Sequence, residues 1–151
     1  MDSTHRSRPG QGSHRPRTEP QGLPPPVLAK IAFGKIDPKL YSDVAEEVAR
    51  SVAQANRDVN KPSQLRRFYD ELVMLHDKVR LSPQGFEEQQ PFIQMLKAKV
   101  AYAKGRERVD ERFASLLRRL VDEARDADTF RQARLFMEAF MAFYKVERPK
   151  D

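Results

Sequence analysis

Three features of this sequence predict an all-α fold, a compact bundle of about five helices behind a disordered N-terminal tail. Apolar residues recur at steps of three and four through most of the chain. No stretch shows the sustained alternation of a half-buried strand, and no Asn-Gly or Asp-Gly turn is present to join a hairpin. The connections between the periodic stretches are short, as in a bundle of antiparallel neighbours.

The first 26 residues stand apart. They hold six of the eleven prolines and three of the six glycines, with almost no aliphatic residue. Such a segment cannot bury enough surface to offset its chain entropy, so residues 1–26 are expected to be a disordered basic tail and residues 27–151 the bundle. Arg6, Arg8, Arg15 and Arg17 make the tail a solvated arm or a weak contact for phosphates.

From Val27 to Ile36 the chain is apolar enough for a short helix or a packed arm. Asp37-Pro38 reads as an N-cap followed by proline at the first helical position. Leu40, Tyr41, Val44, Val48, Ala49 and Val52 then trace the first long helix. Pro62-Ser63 opens the second, with Leu65, Phe68, Tyr69, Leu72, Leu75, His76 and Val79 on one stripe. Leu81 to Gln90 reads as a loop, because it carries Ser-Pro and Gly85. Pro91 is expected to start the third helix, with Phe92, Leu96, Val100 and Ala103 inward and Gly105 at its end. The fourth spans about Val109 to Arg125, burying Phe113, Leu116, Leu117, Leu120 and Val121. Asp128 is expected to cap the fifth, whose apolar face runs from Phe130 through Phe136, Met137 and Phe140 to Tyr144.

With 28 basic and 22 acidic residues the net charge is +6, so the placement of charge matters more than its sum. There is no cysteine, which excludes disulfides, thiolate metal sites and cysteine nucleophiles. No apolar run approaches the roughly 20 residues that span a bilayer, and no secretory signal is apparent. A soluble, cytoplasmic protein without membrane contact is expected.

Little here supports catalysis. His5 and His14 fall in the tail. His76 lies on the core stripe of the second helix, where a packed, hydrogen-bonded imidazole is expected; Asp77 points about 100° away and is a poor orienting partner. Carboxylates occur as sequence neighbours beside basic residues, as on solvated helix faces. No glycine-rich loop, metal motif or nucleophile–base set appears. No cofactor, metal or small-molecule substrate is expected.

The charge pattern is more informative. No acidic residue occurs between Gln89 and Arg106, although acids pervade the other helices. Lys97, Lys99, Lys104 and Arg106 fall in that interval and flank the apolar stripe of the third helix. Lys61, Arg66 and Arg67 open the second helix, and Arg108 follows the third. If the two helices pack side by side, these groups merge into one basic surface suited to phosphates. Tyr102, between Lys99 and Arg106, is either a stacking platform or a core-edge side chain. The aromatic face of the fifth helix reads as core, with Phe143 the candidate for contact with another subunit.

Three stretches then carry a resemblance. They are Ser63-Gln64-Leu65-Arg66-Arg67-Phe68-Tyr69, the run from Leu96 to Arg106, and Phe136-Met137-Glu138-Ala139-Phe140 with Phe143-Tyr144-Lys145. In this order and spacing, across about Ile31 to Arg148, the chain resembles the small subunit of type III-A CRISPR–Cas effectors, the Csm complex. The resemblance implies a non-catalytic helical subunit. Several copies stack along the guide-binding backbone and touch the duplex of guide RNA and target RNA. It implies other Csm subunits, copies of itself included, as partners. It marks Arg66, Lys99 and Arg106 as the leading RNA contacts, with Arg67, Lys97, Lys104 and Tyr102 second. The alternative is a helical protein–protein adaptor with no nucleic-acid contact.

Overall fold

Proline or a capping aspartate starts four of the six helices of residues 22–151. In this computed structural model, which describes residues 22–151, α1 is Pro25–Lys30, α2 Asp43–Ala53, α3 Pro62–Val79, α4 Gly85–Gly105, α5 Glu111–Glu123 and α6 Ala127–Glu147. No strand occurs among the described residues. The expectation of a basic arm with His5 and His14 falls on residues 1–21, outside the described residues. Packing begins before residue 26, because Leu23 is buried and its N–H donates to Ser115 Oγ at 3.1 Å.

Four boundaries differ from the sequence reading. Asp37 does cap, but what it caps is a single 3-10 turn, Pro38–Tyr41, and α2 starts only at Asp43. The segment 85–90 is helical, so Pro91 lies inside α4 and not at its start. Gly85 permits this, since a Cβ there would sit 2.0 Å from the Val79 carbonyl oxygen. Phe86 anchors the added turn, 6.1 Å ring to ring from Phe130. Pro91 itself is exposed, so the carbonyl that loses its N–H partner can be solvated. The cap of α6 is Asp126, not Asp128: Asp126 Oδ1 accepts from the Thr129 N–H at 2.8 Å, and Thr129 Oγ1 accepts from the Asp126 N–H. The fourth predicted helix is shorter than expected because Asp110 is its N-cap, accepting from the N–H groups of Arg112 and Phe113.

Two packing units share α3. Helix α6 packs chiefly on α2 and α3, and α4 packs on α3 and α5. Phe130, Phe136, Phe140 and Tyr144 of α6 are essentially inaccessible. Burial of each such side chain contributes about 1.5–3 kcal/mol, so this face is the core of the bundle and not a docking surface. Phe143 is half-buried against the same core. In α4 the inward residues are Ile93, Leu96, Val100 and Ala103; Phe92, expected inward, is 54% exposed.

Candidate nucleic-acid interface

The start of α3 lies beside the end of α4, and a buried polar node fixes both. Asn60, in the left-handed region at φ 56°, uses its amide on both sides. Its Nδ2 donates to Asp110 Oδ1 at 2.7 Å and its Oδ1 accepts from the Asp110 N–H at 2.9 Å. The Asn60 N–H donates to the Arg108 carbonyl at 3.0 Å, and the Tyr144 hydroxyl donates to the Asn60 carbonyl. Burial pushes the Tyr144 phenol well above its ordinary range, so it remains a donor. Arg148 closes the node from the C-terminal side. Its buried guanidinium donates to five backbone carbonyls, those of Ala53, Ala55, Asn56, Val59 and Asn60.

The end of α4 turns on Glu107, at φ 59°. The Glu107 N–H donates to the Lys104 carbonyl and the Arg108 N–H to the Ala103 carbonyl, both at 2.9 Å. This is the double bond pattern of a Schellman close, with Glu107 in the position that glycine usually fills. Gly105, expected to end the helix through its backbone freedom, is simply its last residue. The turn brings Arg108 back beside Arg106. Together with Arg67 and Gln64 of α3 and Tyr102 and Ala103 of α4, they line a shallow cleft of about 370 Å³.

The cleft is cationic. Among the described residues no carboxylate pairs with Arg67, Arg106 or Arg108. Tyr102 is 67% exposed, which settles its place as a surface ring and not a core-edge one. The Arg106 guanidinium lies 5.7 Å from the centre of that ring and donates to its hydroxyl at 3.3 Å.

The lysines of α4 are placed differently. Lys97 pairs with Asp122 of α5, Lys99 with Glu71 of α3, and Lys104 with Glu111 of α5 at 2.6 Å. The interval without acids in α4 is thus neutralised by acids of its neighbours, and the merged basic surface contracts to the arginine cleft. Burial alone would raise the Glu111 carboxyl, but hydrogen bonds from Lys104 and Arg118 outweigh it and hold it below its ordinary value. Arg66 points to the other side of α3 from Arg67 and lines a groove with Tyr69, Glu138 and Lys145. Of the seven sequence-predicted residues, the structure therefore brings Arg67, Tyr102 and Arg106 together. Gln64 and Arg108 join them; the turn that returns Arg108 depends on a non-glycine residue in a left-handed conformation, which no local signal announces.

His76 is packed as expected. It is 4% exposed, and its Nδ1 accepts from Arg134 Nη1 at 2.9 Å, which places its own proton on Nε2. Burial lowers its pKa, and the Arg134 charge lowers it further. Among the described residues no three His, Asp or Glu side chains are grouped to hold a metal ion, and no helix is long and apolar enough to cross a membrane.

The family model described as Csm2 Type III-A matches residues 35–150. No curated protein and no solved structure matches the chain. The match covers every helix from the 3-10 turn to the end of α6 and includes all three stretches that carried the resemblance. This chain therefore belongs to the Csm2 type III-A family, the small structural subunits of the Csm complex.

Proposed function

We propose that this subunit performs no bond-breaking itself and holds RNA in a type III-A CRISPR–Cas effector, in antiviral defence. Several copies stack along the guide-binding backbone subunits in the cytoplasm. Each touches the duplex of guide RNA and target RNA, chiefly the target backbone. The partners are the two RNAs and the other Csm subunits.

The observation that supports this reading is the cleft of Arg67, Arg106 and Arg108 around Tyr102. Guanidinium groups match phosphate oxygens in a planar fork, and none of these three is engaged by a carboxylate among the described residues. Tyr102 offers an exposed ring for a base or ribose. Contacts of this kind position a backbone without reading its sequence. Lys97 and Lys99 are held in exposed ion pairs, each worth at most about 1 kcal/mol, so a phosphate can compete for their ammonium groups; the pair of Lys104 with Glu111 is half-buried. Arg66, in the groove with Tyr69, Glu138 and Lys145, lies outside this cleft. The adaptor reading has less support, since the aromatic face of α6 on which it drew is buried in the core.

The test is RNA affinity of the assembled complex carrying Arg67→Glu with Arg106→Glu, against one carrying Lys97→Gln with Lys99→Gln. The arginine pair should lower affinity at least about tenfold. It should also reduce the log–log salt slope by about 0.7 for each single-strand phosphate that is no longer neutralised. The lysine pair should have the smaller effect. Unchanged affinity in the arginine variant refutes the reading and favours the adaptor.

A further inference from the structure

The arginine cleft contains one polar side chain that contact with a phosphate or with a base face does not use, that of Gln64. It is half-buried, and among the described residues no hydrogen bond holds its amide. Gln132, by contrast, is committed inside the fold, with its amide on the Gly34 backbone and on Asp128. The position of Gln64 is fixed from both sides. Leu65 beside it is inaccessible, the Asn60 node precedes it, and the Asp151 carboxylate accepts from the Ser63 N–H at 2.9 Å. Arg67 follows one turn later on the same face of α3, with Tyr102 and Arg106 across the cleft on α4.

Donors and acceptors are unequal in this cleft. Its three guanidinium groups donate and accept nothing. The Tyr102 hydroxyl already accepts from Arg106. Among the lining side chains, Gln64 Oε1 is the acceptor without a partner. A phosphate needs donors only, so the arginines hold RNA and DNA alike. A ribose adds a 2′-hydroxyl, which has a proton to give and which DNA lacks. An acid at position 64 would pair with the arginines, and a cation would supply one more donor. The amide presents an acceptor while leaving the guanidinium groups free for phosphate. A strand whose phosphate meets Arg67 carries the adjoining ribose past Gln64.

We propose that Gln64 Oε1 accepts a hydrogen bond from a ribose 2′-hydroxyl and so makes the cleft select a ribose strand. The inference rests on the cleft holding RNA, and it adds to that reading the residue that sets which kind of strand is kept. Gln64 is then the specificity residue, and Arg67, Arg106 and Arg108 supply affinity without sugar preference.

Affinity of the assembled complex for one target sequence in two forms, ribose and 2′-fluoro, tests it. Fluorine keeps the sugar pucker of ribose but has no proton to donate. The wild type should bind the ribose form more tightly. Gln64→Met keeps the length of the side chain and removes the acceptor. It should shrink the ratio of the two affinities at least about threefold, the scale of one hydrogen bond. Affinity for the 2′-fluoro form should stay as in the wild type, and circular dichroism should show unchanged helicity. Tyr102→Phe removes the other hydroxyl of the cleft and should keep the ratio. A wild type that binds both forms equally, a Gln64→Met complex with the wild-type ratio, or loss of the ratio in Tyr102→Phe would overturn the proposal. The arginine pair tells the two failures apart. If Arg67→Glu with Arg106→Glu lowers affinity while Gln64→Met keeps the ratio, only the role of Gln64 falls; if the arginine pair changes nothing, the cleft holds no RNA and both readings fall.

Discussion

Arg148 is the residue whose removal the fold should feel most. Arg148 is 8% exposed, and its guanidinium serves five carbonyls, of which those of Ala53, Ala55 and Val59 have no other partner among these bonds. Arg148→Met keeps the aliphatic stem and removes every donor. The carbonyls left without partners should cost about 3 kcal/mol, read as a lower urea midpoint. Arg131→Met removes an exposed pair with Asp128 and should cost less than about 0.5 kcal/mol; equal effects would show that burial is not what makes Arg148 matter. Nothing in the sequence distinguishes these two arginines. The identity of a cation is visible there, but its partner is decided by which loop the fold carries past it. The same holds for Lys99: its place on α4 is legible, whereas the Glu71 that neutralises it comes from another helix.

Helix existence was legible and helix starts were less so. Periodicity located α2 to α6, because burying one face at 3.6 residues per turn leaves a pattern that no loop imitates. The start of α4 was hidden by Pro91, which suits a first turn but is also tolerated on an exposed face. Gly85 reads as a loop residue for the same reason that it is needed: it lacks a Cβ. Gly85→Ala would drive a methyl group into the Val79 carbonyl and should destabilise the protein by at least about 2 kcal/mol. A Cβ at Gly105 meets nothing within 4 Å, so Gly105→Ala should be neutral or slightly stabilising. Thermal melts of the two variants check the contrast, and similar melting points would place the α3–α4 turn elsewhere than here.

At the scale of the molecule, acid should loosen the bundle in two windows. His76 and Glu111 both have folded pKa values below their ordinary ones. The unfolded chain therefore binds more protons than the folded one between the two values of each group, and stability rises with pH there. The His76 contribution is present above its ordinary value of 6.5 and is lost as pH falls through its folded value. The Glu111 contribution follows the same course from 4.5 downward. Denaturation midpoints measured from neutral to acidic pH should fall in both windows, and His76→Gln should flatten the upper one. A profile rising toward acid would contradict the packed, neutral imidazole. The family assignment belongs to this scale too, since three short motifs in order carried it while no single residue did. The cleft does not, because it needs the α4 close and the Asn60 node to assemble.

The node that Arg148 closes joins the last turn of α6 to a loop made some ninety residues earlier, between Ala55 and Arg148. A chain emerging from the ribosome in order therefore has α2 and α3 in hand long before the residue that latches their connection. Until then the Ala53, Ala55 and Val59 carbonyls are left to water. The residues of the arginine cleft are thus made before the latch that fixes the loop beside them.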